Sequence, residues 1–354
     1  MLKMIKNEGI EEYSEYLKSI SSDIKKTDVC YGKQALILFY LYKYKTYSLQ
    51  KDYDYYNTLI EDCINDLAEG NDIIAIIEFL YVHLLYKKDF GAEYDLSEIV
   101  QQFEEIVYSH FIGCINNENL DGYFGAGYPM RYFLLKEELP KGLVEYFKAY
   151  IKKNVIKQNN GVSYVKLTEE SSDNDLGITH GLSFIITTYI NLHQLNCLSP
   201  DDMVVLKEFI EYTKLSYKDY LIKEKAHNIA YGKLGLLYSL IHYNTFFYDK
   251  EIEDIIEEIF IFLSKNKDMI YQNNNNSLLY GNTGIVLFYK IISNKISNRF
   301  QEDKEFWDNK MLNIINSDST EDTLAEGKLG HYLASMSMML NNYNFMNLFF
   351  INTI

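Results

Sequence analysis

Apolar runs of helical length alternate along this chain with segments in which apolar and charged residues are interspersed. Residues 72–85 and 281–292 are typical of the first kind, because apolar positions crowd most faces of the helix they would form. This pattern predicts helices that are buried on most sides. Residues 203–220 and 251–264 are typical of the second kind, with apolar positions at roughly helical spacing. The chain therefore predicts an all-α protein without strand-rich segments, in which buried and half-buried helices alternate.

A short phrase that contains glycine opens these apolar runs, about once every fifty residues. A degenerate copy lies at Gly70, and the leading glycines of the clear copies are Gly32, Gly125, Gly181, Gly232, Gly281 and Gly327. Self-similarity at a fixed period is typical of repeat architectures, and this period fits two helices and two connections per repeat. Because the repeat runs nearly end to end, the sequence predicts one α/α-toroid domain over residues 1–354, with inner helices that begin at the phrases.

The phrases also indicate where a ligand would bind. Glycine at a helix start lets another backbone approach closely, and the N–H groups there, with the helix dipole, attract polar or anionic groups. If the inner helices all begin at one end of the ring, the phrases line one central cavity. The alternative is that the glycines only allow tight packing. The candidate cavity glycines are Gly125, Gly181, Gly232, Gly281 and Gly327.

The net charge and the spacing of the cysteines indicate the class of binding partner and the cellular compartment. The formal net charge of −16 argues against nucleic acid as the main partner and suits a basic peptide. Three lysines that follow leading glycines, Lys33, Lys233 and Lys328, are a candidate basic lining of the cavity mouth. The four cysteines lack C-x-x-C spacing, so we expect reduced thiols in a cytoplasmic protein. Neither a signal peptide nor a membrane span is predicted.

The phrases resemble those of the LanC family, the lanthionine cyclases of lanthipeptide biosynthesis. The resemblance rests on the segments DGYFG at 121–125, LGITHG at 176–181, AYGKLG at 230–235 and LYGNTG at 279–284, and on the phrase at Gly327. It implies an α-toroid of seven inner and seven outer helices. It also implies a role near a ribosomally made, dehydrated peptide, because family members add cysteine thiols of such a peptide to dehydroalanine or dehydrobutyrine.

The resemblance implies a catalytic zinc ion, for which this chain lacks the ligands. Family members place a cysteine in the phrase that corresponds to Gly232 and a Cys-His pair in the phrase that corresponds to Gly281. Zinc held by these three ligands activates a thiol. Here the first position is Ala230, and the other two are Leu279 and Tyr280. We therefore predict no metal cofactor. A replacement metal site built from His227, His180 and Asp121 is the alternative.

At the positions where the family has its acid–base residues, this chain has residues of the same types. The resemblance places an acidic residue at Asp121, a catalytic histidine at His180 and an active-site tyrosine at Tyr231. Histidine side chains exchange protons near neutral pH, which suits general acid–base catalysis. Asp121 precedes a helix start, so capping that helix is an equally good interpretation. Tyr280 and His227 are further candidates for lining a peptide-binding cavity.

Three functions follow from these residues. The favoured one is a metal-free LanC-like protein that binds a precursor or dehydrated peptide, its modification enzyme such as a dehydratase, or both. The second is a divergent, zinc-independent cyclase in which His180 deprotonates the thiol and Asp121 orients His180. The third is an α/α-toroid hydrolase or lyase acting on sugars, which needs two carboxylates. For that reaction Asp121 would work with Asp173, Asp175 or Glu326.

Overall fold

Helices account for nearly all of the regular structure. The computed structural model describes residues 7–70, 72–90, 96–136, 138–158, 162–168, 175–224, 227–229, 232–272, 275–292, 300–315 and 322–349. Within these residues the chain forms fourteen α-helices, two short 3-10 helices at Ser21–Asp23 and Asn344–Phe349, and one two-stranded hairpin.

Seven of the α-helices follow the glycine phrases and are buried along most of their length. In α10, for example, every residue from Lys233 to Tyr243 is buried. This confirms the prediction that apolar runs with few charges form helices surrounded by protein. The seven helices are α2 (Lys33–Tyr47), α4 (Ile73–Phe90), α6 (Gly127–Lys136), α8 (Leu182–Gln194), α10 (Lys233–Phe246), α12 (Asn282–Ile291) and α14 (Lys328–Leu340).

The other seven helices alternate with these along the chain and carry the amphipathic pattern. They bury one face and leave charged residues on the other, as apolar positions at helical spacing predict. They are α1 (Asn7–Ile20), α3 (Gln50–Glu69), α5 (Ser97–Asn116), α7 (Leu143–Asn154), α9 (Pro200–Lys223), α11 (Lys250–Gln272) and α13 (Gln301–Ile315). Helix α9 begins with a capping box, in which Ser199 and Asp202 satisfy each other's backbone N–H groups.

The glycines at the helix starts are required by the path of their own chain. At α8 the first helical amide, that of Leu182, donates 2.9 Å to the carbonyl of Asp175, seven residues earlier. A Cβ atom on Gly181 would lie 2.5 Å from that carbonyl oxygen, so no larger residue fits. The same backbone hydrogen bond links Asn282 to Asn275 at α12. Tight packing thus explains these glycines locally, and a role in lining a cavity stays a prediction.

A short hairpin was missed by the sequence analysis. Strands β1 (Val155–Lys157) and β2 (Ser163–Val165) pair antiparallel, with Val155 opposite Val165. Three residues per strand are too few to produce a recognisable alternation of apolar and polar positions.

Packing contacts divide the described residues into two compact units. One contains the residues up to Phe103 together with those of 275–292 and 301–349. In this unit α2 packs against α3, α4 and α14. The other unit contains the described residues of 104–272 and Phe300, and in it α8 packs against α6, α9 and α10. In the described part of the chain, no helix combines the length and the apolar character that crossing a membrane requires. A single domain over 1–354 stays a prediction.

Candidate functional site

The loop before α6 is organised by the side chain of Asp121. One carboxylate oxygen, Oδ1, accepts hydrogen bonds from the backbone N–H groups of Tyr123 at 2.9 Å and Phe124 at 2.7 Å. The backbone N–H of Asp121 donates to Asn119 Oδ1 at 3.0 Å, and its carbonyl accepts from the N–H of Gly127 at 3.0 Å. This oxygen therefore holds an Asx-type turn ahead of α6, which begins at Gly127, and Asp121 does not cap the helix itself.

Gly122 brings this loop against the loop that precedes α8. Its backbone N–H donates to the carbonyl of Thr179 at 3.0 Å, and a Cβ atom at this position would collide with the same oxygen. Glycine is thus needed for the two backbones to approach this closely. Since Asp121 precedes Gly122 and His180 follows Thr179, the contact places the two candidate acid–base residues side by side.

Asp121 and His180 form a hydrogen-bonded pair. Nδ1 of His180 donates to Oδ2 of Asp121, the oxygen that does not accept from the two loop amides. The Asp121 side chain is 9% exposed, whereas the His180 side chain is 24% exposed. A buried carboxylate that holds Nδ1–H fixes the ring orientation and leaves Nε2 as the nitrogen through which protons are exchanged. Asp121 therefore holds the turn before α6 with one oxygen and orients His180 with the other.

An aromatic side chain that the sequence analysis did not select flanks this pair. The Phe124 ring lies nearly parallel to the His180 imidazole, with 6.3 Å between the ring centroids and 10° between the planes. Phe124 is 61% exposed. Its position in the DGYFG segment, three residues after Asp121, was the signal that could have identified it.

Asp175 lies in the same region and shapes the turn before α8. Its Oδ1 accepts from the N–H of Gly177 at 2.7 Å. Burial raises the pKa of Asp175, although the Gly177 hydrogen bond and the charge of His180 act in the opposite direction. Asp173, the neighbouring candidate for a sugar-cleaving carboxylate, lies outside the described residues. The side chain of Asp175 thus stabilises this turn, and its pairing with Asp121 in a sugar-cleaving reaction stays a prediction.

His227 and Lys233 lie near the start of α10 and contact the same aromatic ring. The imidazole of His227 stacks on Phe262 with 6.3 Å between centroids, and Lys233 Nζ lies 5.4 Å from the centroid of that ring. Burial, reinforced by the charge of Lys233, lowers the pKa of His227 to about 4. Lys233 is itself buried and donates to the carbonyl of Glu224, so the predicted basic lining is wrong for this residue.

The positions at which the resemblance implies zinc ligands do not fit a zinc ion. Leu279 is buried, and its side chain carries no atom with a lone pair. Tyr280 is partly buried, and its backbone N–H donates to Ser277 Oγ at 3.2 Å. Ala230 and the candidate residue Tyr231 lie outside the described residues. Within the part of the chain that the structure describes, no three His, Cys, Asp or Glu side chains are grouped as metal ligands would be.

The remaining candidates are helix-start glycines. Gly181 and Gly232 are the N-caps of α8 and α10, and Gly281 and Gly327 are the N-caps of α12 and α14. Gly125 lies in the loop before α6, packed against the main chain of Asp121. Four of the five glycines are therefore helix N-caps, as the sequence predicts, and Gly125 precedes the first residue of its helix by two positions. Their role in binding a peptide stays a prediction.

Comparisons with known proteins identify the family. The model of the "Lanthionine synthetase C-like protein" family matches residues 23–341. The solved structure of nisin cyclase superposes with a TM-score of 0.74 over 97% of both chains, at 15% sequence identity. This match confirms the predicted all-α, α/α-toroid fold class. A search of curated proteins finds no significant match. Because the family model covers most of its length, the chain belongs to the lanthionine synthetase C-like family.

Proposed function

We propose that this protein binds a dehydrated peptide beside Asp121 and His180 and promotes thioether formation there without zinc. The observation that carries the proposal is the hydrogen bond from His180 Nδ1 to the buried carboxylate of Asp121. A second observation supports the zinc-independent part, since Leu279 and Tyr280 stand at positions where the family resemblance implies metal ligands. Membership of the family supports a lanthipeptide-related role.

The proposed reaction needs only proton transfers and one new bond. Nε2 of His180 accepts the proton of a peptide cysteine, and the resulting thiolate attacks Cβ of a dehydroalanine. The electron pair of the Cα=Cβ double bond moves onto Cα, where the neighbouring carbonyl stabilises it as an enolate. The imidazolium then returns its proton to Cα. The C–S bond forms, no group leaves, and the peptide keeps its mass.

Asp121 and the hydrogen-bonded loops around it accelerate the reaction in this scheme. The carboxylate stabilises the imidazolium that forms when the thiol is deprotonated, and general acid–base catalysis of this kind contributes about 10²–10⁴-fold. Fixing thiol and alkene within reach of each other contributes further, because it replaces a random encounter with an oriented one. Neither contribution requires a metal ion.

A binding function without catalysis is the second candidate. It is the function that the sequence favours, and the buried, apolar Leu279 at an expected ligand position supports it. In this case the protein holds the peptide for a separate modification enzyme, and His180 contacts the peptide without exchanging protons. The two candidates differ in one measurable quantity, the rate of ring closure.

The test uses a synthetic peptide that contains one dehydroalanine and one cysteine. Because ring closure leaves the mass unchanged, the remaining free thiol is trapped with N-ethylmaleimide and counted by mass spectrometry. We expect the protein to accelerate thiol loss and His180→Ala to abolish most of the acceleration. His193→Ala is the matched control, since His193 is an exposed histidine in the last turn of α8. Peptide binding with no acceleration would favour the second candidate, and neither binding nor acceleration would exclude both.

A further inference from the structure

Phe124 stands out among the residues around the Asp121–His180 pair because its large apolar ring is exposed. The ring is 61% exposed, while the neighbouring residues Asp121, Tyr128 and Ile178 are buried. Single exposed apolar side chains are common on protein surfaces and need no explanation by themselves. This one differs through its fixed backbone and its position against the reactive imidazole.

The main chain that carries Phe124 is held from several sides. Its N–H donates to Asp121 Oδ1 at 2.7 Å, so the carboxylate that orients His180 also positions Phe124. Its carbonyl accepts from the side-chain amide of Asn119 at 3.3 Å. The Tyr123 ring meets the Phe124 ring edge to face, with 4.9 Å between centroids, and leans on the buried Tyr128 at the same centroid distance. The exposed ring is therefore carried by a loop that hydrogen bonds and ring contacts hold in place.

The distance between Phe124 and His180 decides which part of a bound peptide the Phe124 ring can contact. The centroids of Phe124 and His180 are 6.3 Å apart, and consecutive Cα atoms of a peptide are about 3.8 Å apart. A peptide whose reacting residue lies at His180 Nε2 is therefore long enough to bring the side chain of an adjacent residue over Phe124. A phenyl ring forms no conventional hydrogen bond, so it distinguishes peptide side chains by the apolar area with which they cover it. The preference is strongest for aromatic side chains that stack on the ring or meet it edge to face.

We infer that Phe124 determines substrate specificity by binding a large apolar side chain of the peptide residue next to the reacting one. The inference rests on the proposed function, because it takes His180 as the place where the peptide reacts. It adds a substrate class: dehydrated peptides in which an aromatic or large aliphatic residue neighbours the dehydroalanine. A neighbouring cation would be the competing class, since ammonium groups also bind aromatic faces.

The test compares three synthetic peptides that differ only in the residue next to dehydroalanine, which is Phe, Ser or Lys. We expect kcat/KM for the Phe peptide to exceed that for the Ser peptide about tenfold. Phe124→Ala should bring this ratio close to one, because it removes the ring that the Phe side chain covers, and Phe124→Leu should keep part of the preference. Tyr248→Ala is the control, because Tyr248 is 70% exposed and lies elsewhere in the same unit.

Several results would overturn the inference. An unchanged ratio in Phe124→Ala would show that the ring does not contact the neighbouring residue. An equal loss of rate with all three peptides would show that Phe124 only supports the loop. A preference of the wild type for the Lys peptide would show that the ring binds a cation instead of an apolar side chain. If the wild type closes no ring at all, the proposed catalytic function fails. The ratio of dissociation constants for the same peptides, from fluorescence anisotropy, then decides the inference alone by the same criteria.

Discussion

Replacing Asp121 by asparagine separates the two tasks of this residue. The asparagine side chain keeps one oxygen, which can still accept from the N–H groups of Tyr123 and Phe124. The atom that then faces His180 is the amide nitrogen, which is a donor. Two donors cannot form a hydrogen bond, so His180 must move its proton from Nδ1 to Nε2. In that tautomer Nε2 has no lone pair with which to accept a thiol proton.

The size of each expected effect depends on which hydrogen bonds the variant keeps. Asp121→Asn retains the hydrogen bonds to the two loop amides, whereas Asp121→Ala loses them at a cost of about 1 kcal/mol. Both variants lose the ionic hydrogen bond to His180, and such bonds contribute about 1.5–3 kcal/mol. We therefore expect Asp121→Ala to be less stable than Asp121→Asn by about 1 kcal/mol. Both variants should lower the rate of ring closure by about 10²–10⁴-fold.

Urea denaturation followed by circular dichroism measures the stability difference, and the thiol-trapping assay measures the rate. Asp201→Asn is the matched control, because Asp201 is an exposed aspartate in the first turn of α9. If Asp121→Asn closes rings at the wild-type rate, the orientation of His180 by Asp121 has no catalytic role. Equal stability of the Asn and Ala variants would show that the hydrogen bonds of Oδ1 to the loop amides do not stabilise the fold.

Three further predictions concern residues outside the Asp121–His180 pair. Burial, followed by the charge of Arg131, lowers the pKa of His242 from 6.5 to about 4. The stabilisation from the neutral ring is therefore complete above pH 6.5 and is lost as the pH falls toward 4. In urea titrations over that window the wild type should lose about 3 kcal/mol more than His242→Gln, and parallel losses would contradict this. Lys43 and Asp52 form a fully buried ion pair at 2.8 Å, so Lys43→Met alone should cost about 3–5 kcal/mol. Adding Asp52→Leu should recover most of that loss, and purely additive losses would argue against the pairing. Burial raises the pKa of the Cys63 thiol to about 12, so a thiol reagent should label the partly exposed Cys197 first in the native protein. Early labelling of Cys63 would show that its helix opens readily.

The sequence predicts the helices well because their signals are local. A glycine followed by an apolar run marks each buried helix, and α8 and α12 begin one residue after their glycines. The approach of Asp121 to His180 was expected only from the family resemblance. The structure supplies its physical reason, the contact of Gly122 with the carbonyl of Thr179.

Features set by contacts between distant segments escape such reasoning. Lys233 reads as an exposed cation after a glycine, but it is buried and bonded to a carbonyl nine residues earlier. Phe124 reads as one more apolar residue in a repeat phrase. Its exposure and its alignment with His180 depend on the turn around Asp121 and on a loop 59 residues away. No spacing rule within one segment encodes either arrangement.

The most direct test of zinc-independent catalysis at Asp121 and His180 is the rate of ring closure by protein freed of metal. The protein is dialysed against a chelator, and thiol loss from the dehydroalanine peptide is followed with the chelator present. We expect the rate to match that of undialysed protein and to fall about 10²-fold or more in His180→Ala. A rate that disappears on chelation and returns with added zinc, or one that persists in His180→Ala, would contradict the proposal.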